Sequence, residues 1–261
     1  MRRHGILVRR LDAIETLASV GMVCFDKTGT LTLNRMSVTT VAAGERLYHA
    51  WDGAFVDPDG TAITAEADPR IRTLLAIACL CSETEIDEQE GRPALTGSAT
   101  ENALVQVALD SGVDARALRR EFPRLSVQHR SEAYRFMATT HARGGGILVA
   151  VKGSPSEVLA RCRWEGLPDG GRRDLTAARR AEIEGLNARM ADQALRVLGF
   201  ASRDIGTADP GHAEAAIEDL TWAGLVGMAD PVRPGLRELM QTLHRAGLRT
   251  VMVTGDQGAT A

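Results

Sequence analysis

A chain of 261 residues has room for one large domain or two modest ones. It is 44% hydrophobic and 25% charged, so a sizeable core is expected, and with aromatics at 4% aliphatic side chains must fill most of it. A net charge of -3 without a basic stripe argues against nucleic acid as a partner. No run approaches the roughly 20 apolar residues needed to span a bilayer and no signal-peptide core is seen, so the chain is expected to be soluble as it stands.

In chain order, the first pattern is Met22-Val23-Cys24-Phe25, a short apolar run ending in Asp26, which predicts a buried parallel strand with its carboxyl end open. Residues 36–43 and 45–51 predict strands around Gly44. Residues 71–81 and 100–109 predict helices, and 135–141 with 147–152 a hairpin around Gly144-Gly145-Gly146. Residues 155–162 and 175–191 predict helices, 196–202 and 221–228 strands. Asp57-Pro58-Asp59-Gly60 and Pro168-Asp169-Gly170-Gly171 are expected as surface turns. A helix over 234–246 follows, stopped by Gly247, then a β-branched strand over 248–253 leading into Thr254-Gly255-Asp256. A buried strand near the start and a helix followed by a buried strand at the far end predict an α/β parallel sheet. Consecutive strands between them predict an antiparallel α+β domain inserted over about 36–228. Cys79 and Cys81 lie in an apolar helical run and are expected as core residues rather than metal ligands, in a reducing compartment.

The segment Asp26-Lys27-Thr28-Gly29-Thr30-Leu31-Thr32 carries the most chemistry. A carboxylate just past a strand, followed by a glycine turn and hydroxyl residues, suits attack on phosphorus, with turn amides to hold phosphoryl oxygens. It resembles the phosphorylation signature D-K-T-G-T-L-T of P-type ATPases, within the haloacid dehalogenase superfamily. Gly5-Ile6-Leu7-Val8-Arg9 resembles the lead-in from a stalk helix, Met228-Ala229-Asp230-Pro231-Val232-Arg233 the D-P-x-R hinge, and Thr254-Gly255-Asp256 the T-G-D motif. The resemblance covers nearly the whole chain and is nearest to the type II calcium and magnesium pumps. It implies a haloacid dehalogenase-like, Rossmannoid α/β phosphorylation domain over 1–35 and 229–261, incomplete in this chain. That domain would be interrupted by an α+β nucleotide-binding domain over 36–228.

On that resemblance Asp26 is the phosphoryl acceptor, Lys27, Thr28, Thr254, Gly255 and Asp256 complete the catalytic set, and Asp26 with Thr28 binds Mg²⁺. Soluble phosphatases of the superfamily place a second aspartate two residues after the nucleophile. Here that residue is Thr28, which has no acid–base group of useful pKa and so favours a pump with a longer-lived phosphoenzyme. A soluble phosphatase, or a nucleotide-binding module with a degenerate catalytic half, are the alternatives.

Thr96-Gly97-Ser98-Ala99-Thr100-Glu101-Asn102-Ala103-Leu104 is similar to the family's G-x-x-T-E-x-A-L, which implies that Glu101 accepts from the adenine amino group. Taken alone, Glu101 reads as a first-turn acid favoured by the helix dipole. Lys152-Gly153-Ser154-Pro155 resembles K-G-A-P, with Lys152 facing the adenine pocket and Gly153 allowing close backbone approach to the base. Leu195-Arg196-Val197-Leu198 and Arg135-Phe136-Met137-Ala138 resemble segments whose Arg196 and Arg135 reach the phosphates. Asp230, at the hinge, completes the nucleotide set. Where the family stacks a phenylalanine on adenine, this sequence offers Arg130, or His129 after one insertion. The resemblance further implies ATP and Mg²⁺ as ligands, a transported cation, and a parent that is an integral membrane protein with these domains at the cytoplasmic face. The family's further lysine and G-D-G-x-N-D segment are not in the sequence, so weak nucleotide binding and little activity are expected of this chain by itself.

Overall fold

The computed structural model describes residues 19–89, 92–206 and 217–253. The predicted sites Thr254, Gly255 and Asp256, and the stretch around Gly5, lie outside the described residues. The chain divides at Arg35/Met36 and again at Ala229/Asp230 into two compact units.

The larger unit is built on an 11-stranded, almost wholly antiparallel sheet. Its path runs β5 (Ala62–Ile63), β4 (Ala54–Val56), β3 (Arg46–Trp51), β2 (Ser37–Ala43), β14 (Leu220–Ala229), β13 (Arg196–Ile205), β10 (Gly146–Gly153), β9 (Phe136–Arg143) and β8 (Arg124–Gln128). One parallel step departs from the rule. β11 (Cys162–Gly166) pairs with the start of β14 and carries β12 (Arg172–Asp174) at its other edge. The predicted helix over 155–162 therefore ends early, as α4 (Pro155–Ala160). Cys162 keeps the helical spacing from Val158 but opens a strand. A separate hairpin, β6 (Glu85–Gln89) with β7 (Arg92–Thr96), stands off the sheet.

Both faces of the sheet are covered. On one face lie α1 (Pro69–Leu80), α2 (Ala99–Asp110) and α3 (Ala115–Glu121), and on the other α4 and α5 (Ala177–Asp192). Side chains alternate along a strand, and β10 shows the result. Leu148 and Ala150 join the core under α1 and α2, whereas Ile147, Val149 and Val151 join the core under α4 and α5. That double burial is why the strand reads as an unbroken apolar run rather than an alternation. Each long helix opens on a side-chain cap: Asp68 accepts from Arg70 N–H, Ser98 from Glu101 N–H and Thr176 from Arg179 N–H. Pro69 at the first turn of α1 suits a position that has no helical partner for its nitrogen.

Buried charges in this unit are paired. Glu165, 2% exposed, sits between Arg173 at 2.7 Å and Arg179 at 2.9 Å. Cys79, Cys81 and Cys162 are buried, and burial pushes the Cys79 and Cys162 thiols up to about 12.

The smaller unit pairs β1 (Met22–Asp26) in parallel with β15 (Arg249–Val253), and α6 (Leu236–Arg245) precedes β15. Here the expectation of a buried strand is not met. Met22, Val251, Met252 and Val253 are all exposed, and no residue of α6 is buried. Among the described residues, two strands and one helix offer too little cover for either sheet face. Also among the described residues, no helix is long and apolar enough to cross a membrane.

Candidate functional site

Two sites gather the residues singled out by sequence, one in each unit. In the larger unit a cleft of about 1150 Å³ opens at the ends of β9, β10 and β13 and the start of α2. It brings together Glu101, Arg135, Lys152, Gly153 and Arg196, and both His129 and Arg130 line it.

Strand parity sets the position of Lys152. Two residues beyond Ala150, it faces the same side as Leu148 and Ala150, toward α2. There its Nζ donates to Glu101 Oε1, and the lysine is only 6% exposed. The other carboxylate oxygen, Glu101 Oε2, accepts from Glu83 N–H at 3.3 Å. Ser98 followed three residues later by glutamate has the pattern of a capping box. In this chain the Glu101 carboxylate is engaged by Lys152 and Glu83 N–H, while Ser98 Oγ accepts from Glu101 N–H.

Arginines and carboxylates share the mouth of the cleft. Arg196 Nη1 donates to Thr100 Oγ1 at 3.3 Å. Arg135 is largely exposed and lies 3.8 Å from Glu157, whose carboxylate also accepts from Arg135 N–H. His129 Nδ1 lies 3.4 Å from Glu83 Oε2. Phe136, Met137, Val197 and Leu198 add apolar wall.

Gly153 has an immediate purpose within the sheet. A Cβ there would come within 2.4 Å of Phe136 Cα and 2.6 Å of Arg135 O, so the missing side chain admits the neighbouring strand. Three contributors were not singled out by sequence: Glu83, Ser98 and the backbone of the loop 81–84. Only Ser98 left a trace, as the serine of S-x-x-E.

In the smaller unit Asp26 ends β1 and opens the loop Lys27–Leu31, in which Gly29 adopts φ 80°. That left-handed turn is cheap only for glycine. Gly29 N–H donates to Thr32 Oγ1 at 3.1 Å, and Thr32 Oγ1 donates to Asp230 Oδ2 at 2.6 Å. Asp230 Oδ1 accepts from Arg35 N–H at 3.0 Å. Asp230, predicted with the nucleotide set, thus ties the loop to the point where the chain leaves this unit. Arg233, quoted in the sequence motif without a role, grips the loop itself by donating to Thr30 O at 2.9 Å and Gly29 O at 2.7 Å. Among the described residues no group of three or more His, Cys, Asp or Glu is placed to hold a metal ion. Asp26 and Thr28 supply oxygen donors of the kind magnesium takes.

Residues 70–235 match the family model described as "P-type ATPase, cytoplasmic domain N". The chain belongs to the P-type ATPases. Relatives of this P-type ATPase chain include a cation-transporting ATPase of Synechocystis sp., 35% identical over 276 residues, and a calcium-transporting ATPase of Bacillus subtilis, 32% identical over 269. A plasma-membrane-type calcium-transporting ATPase of Oryza sativa subsp. japonica is 34% identical over 267. All three match 100% of this chain, which spans only 30%, 30% and 25% of their respective lengths.

Proposed function

We propose that this chain is the ATP-binding and phosphorylation portion of an ATP-driven cation pump, working at the cytoplasmic face of a membrane. The observation that carries the reading is the cleft of the larger unit, with the buried Lys152 paired to Glu101 inside and Arg135 and Arg196 at its mouth. Its size and charge suit a nucleoside triphosphate. An apolar wall with a fixed carboxylate acceptor takes an aminated base, and the arginines take phosphates. Glu101 accepts from the adenine amino group, Lys152 fixes that carboxylate and lies beside the base, and Arg135 and Arg196 hold the phosphates.

In the parent, an Asp26 carboxylate oxygen attacks the γ-phosphorus, the bond to the β,γ-bridging oxygen breaks, and ADP departs with that electron pair. Water later attacks phosphorus, freeing phosphate and restoring the carboxylate. Magnesium, when bound with the nucleotide, would be held by Asp26 and Thr28 and would supply charge neutralisation at the phosphates. Thr32, Asp230 and Arg233 hold the Asp26 loop in shape for this attack. The calcium named for two of the relatives makes a divalent cation the first cargo to test.

Calorimetric titration of the chain with ATP tests the nucleotide half. Binding should be measurable in wild type and weaker by about tenfold or more in Lys152→Ala, because the half-buried Glu101 carboxylate loses the cation that fixes it. For the phosphoryl half, the parent supplied with labelled ATP, magnesium and its ion should acquire an acid-stable, hydroxylamine-sensitive label that Asp26→Asn abolishes. Label persisting in that variant would end the assignment.

A further inference from the structure

We infer that Arg119, a residue outside the cleft, governs how selectively the cleft takes its base by holding the loop 81–84 that in turn holds Glu101. This rests on the nucleotide reading above and adds to it a positioning residue. Arg119 lies on α3, and its guanidinium grips backbone rather than a carboxylate. Nε and Nη2 donate to Cys79 O at 3.1 and 3.0 Å, and Nη1 donates to Thr84 O at 2.6 Å. One of these carbonyls belongs to the last turn of α1 and the other lies four residues past its end. Arg124 adds a weaker hold, from Nη1 to Ser82 O at 3.4 Å.

Burying a guanidinium against carbonyls costs desolvation that an apolar residue of the same size would not. What the guanidinium supplies is a rigid fork that fixes both carbonyls at once. Burial pulls Arg119 below its ordinary pKa, and the charge of Glu101 works in the opposite direction.

The other side of the same loop faces the cleft. Glu83 N–H donates to Glu101 Oε2, and Glu83 Oε2 lies beside His129. Thr84 Oγ1 donates to Asn102 Oδ1 at 2.9 Å, on the residue after Glu101. Thr84 also abuts Gly97, where an added Cβ would lie 2.7 Å from its hydroxyl. Arg119 thus fixes Thr84, and Thr84 and Glu83 fix the start of α2 and one oxygen of Glu101. Without the fork, Glu101 keeps Lys152 as its one fixed partner and can turn with it.

The readout is base preference, measured by calorimetric titration of the chain with ATP and with ITP, whose base carries a carbonyl where adenine has its amino group. Wild type should prefer ATP. Arg119→Met should reduce the ATP-over-ITP ratio about fivefold, a coupling typical of residues linked through shared partners. Arg119→Lys, a point charge that cannot grip both carbonyls, should fall between. In a Glu101→Ala background the Arg119 substitutions should leave the ratio unchanged, because the group they position is gone. Urea unfolding reports which variants fold, and the lysine variant decides the matter if the methionine one does not. An unchanged ratio in a folded Arg119 variant overturns the inference, as does an equal drop in the Glu101→Ala background. Wild type that binds both nucleotides equally also overturns it while sparing the nucleotide reading, whereas wild type that binds neither removes that reading as well.

Discussion

Gly153 and Lys152 are neighbours with opposite demands on space. Lys152 needs a partner because a buried ammonium without one is costly, and Glu101 provides it. Gly153 needs emptiness, because the backbone of Phe136 and Arg135 occupies the volume a Cβ would take. Gly153→Ala should therefore destabilise the chain by about 1–3 kcal/mol through overpacking between β9 and β10, read as a lower urea midpoint. An unchanged midpoint would mean that the two strands separate freely. The sequence marked Lys152, Glu101, Arg135 and Arg196 because each sits in a short recognisable string. Arg119 sat in no such string. Its partners are backbone carbonyls, and no pattern of side chains announces those.

At the level of elements, β9 carries a buried titratable group. His141 is 2% exposed, with Nδ1 3.0 Å from Phe122 O and Nε2 2.9 Å from Thr139 Oγ1. Burial holds its imidazole below the ordinary value of 6.5, and the charges of Arg124 and Arg119 add to the effect, against the pull of the Phe122 carbonyl. A histidine lowered in this way binds fewer protons folded than unfolded. Its contribution is complete above 6.5 and is lost as pH falls from there toward the folded value. Each tenfold gap in proton affinity between the two states is worth about 1.4 kcal/mol. Unfolding free energy should therefore drop between pH 7.5 and 5.5, and His141→Gln should flatten that slope. An identical slope in the variant would assign the effect elsewhere.

Elements also differ in how plainly they were written. β10 was legible from its apolar run. The β6–β7 hairpin was not, because Glu85-Ile86-Asp87-Glu88-Gln89 carries one apolar residue and is mostly exposed. β11 was hidden by the helical spacing of Val158 and Cys162, and its pairing with β14 and β12 distinguishes strand from helix there.

At the scale of the whole chain, the antiparallel character of the larger unit was legible in its consecutive strands, but not its 11-strand extent or its one parallel step. Those depend on pairings between residues far apart, such as Cys162 with Leu220. The burial expected of β1 failed because an apolar run shows what a strand can hide, not whether anything covers it. The larger unit has its own two cores, one on each face of the sheet. Residues 36–229 expressed alone should therefore unfold in one cooperative step and bind ATP as the full chain does. A broad, non-cooperative melt would show that the unit depends on the rest of the chain.

Ser37 and Ala229, at the two ends of that unit, are paired neighbours in the β2–β14 ladder. Tension entering through both ends would load that ladder at its terminal rung and open it like a zipper, one bond after another, instead of straining every rung together. The unit is thus fastened at its mechanically softest seam. Its two ends emerge side by side, so it could be transplanted into a surface loop of another protein without wrapping either flank around the sheet.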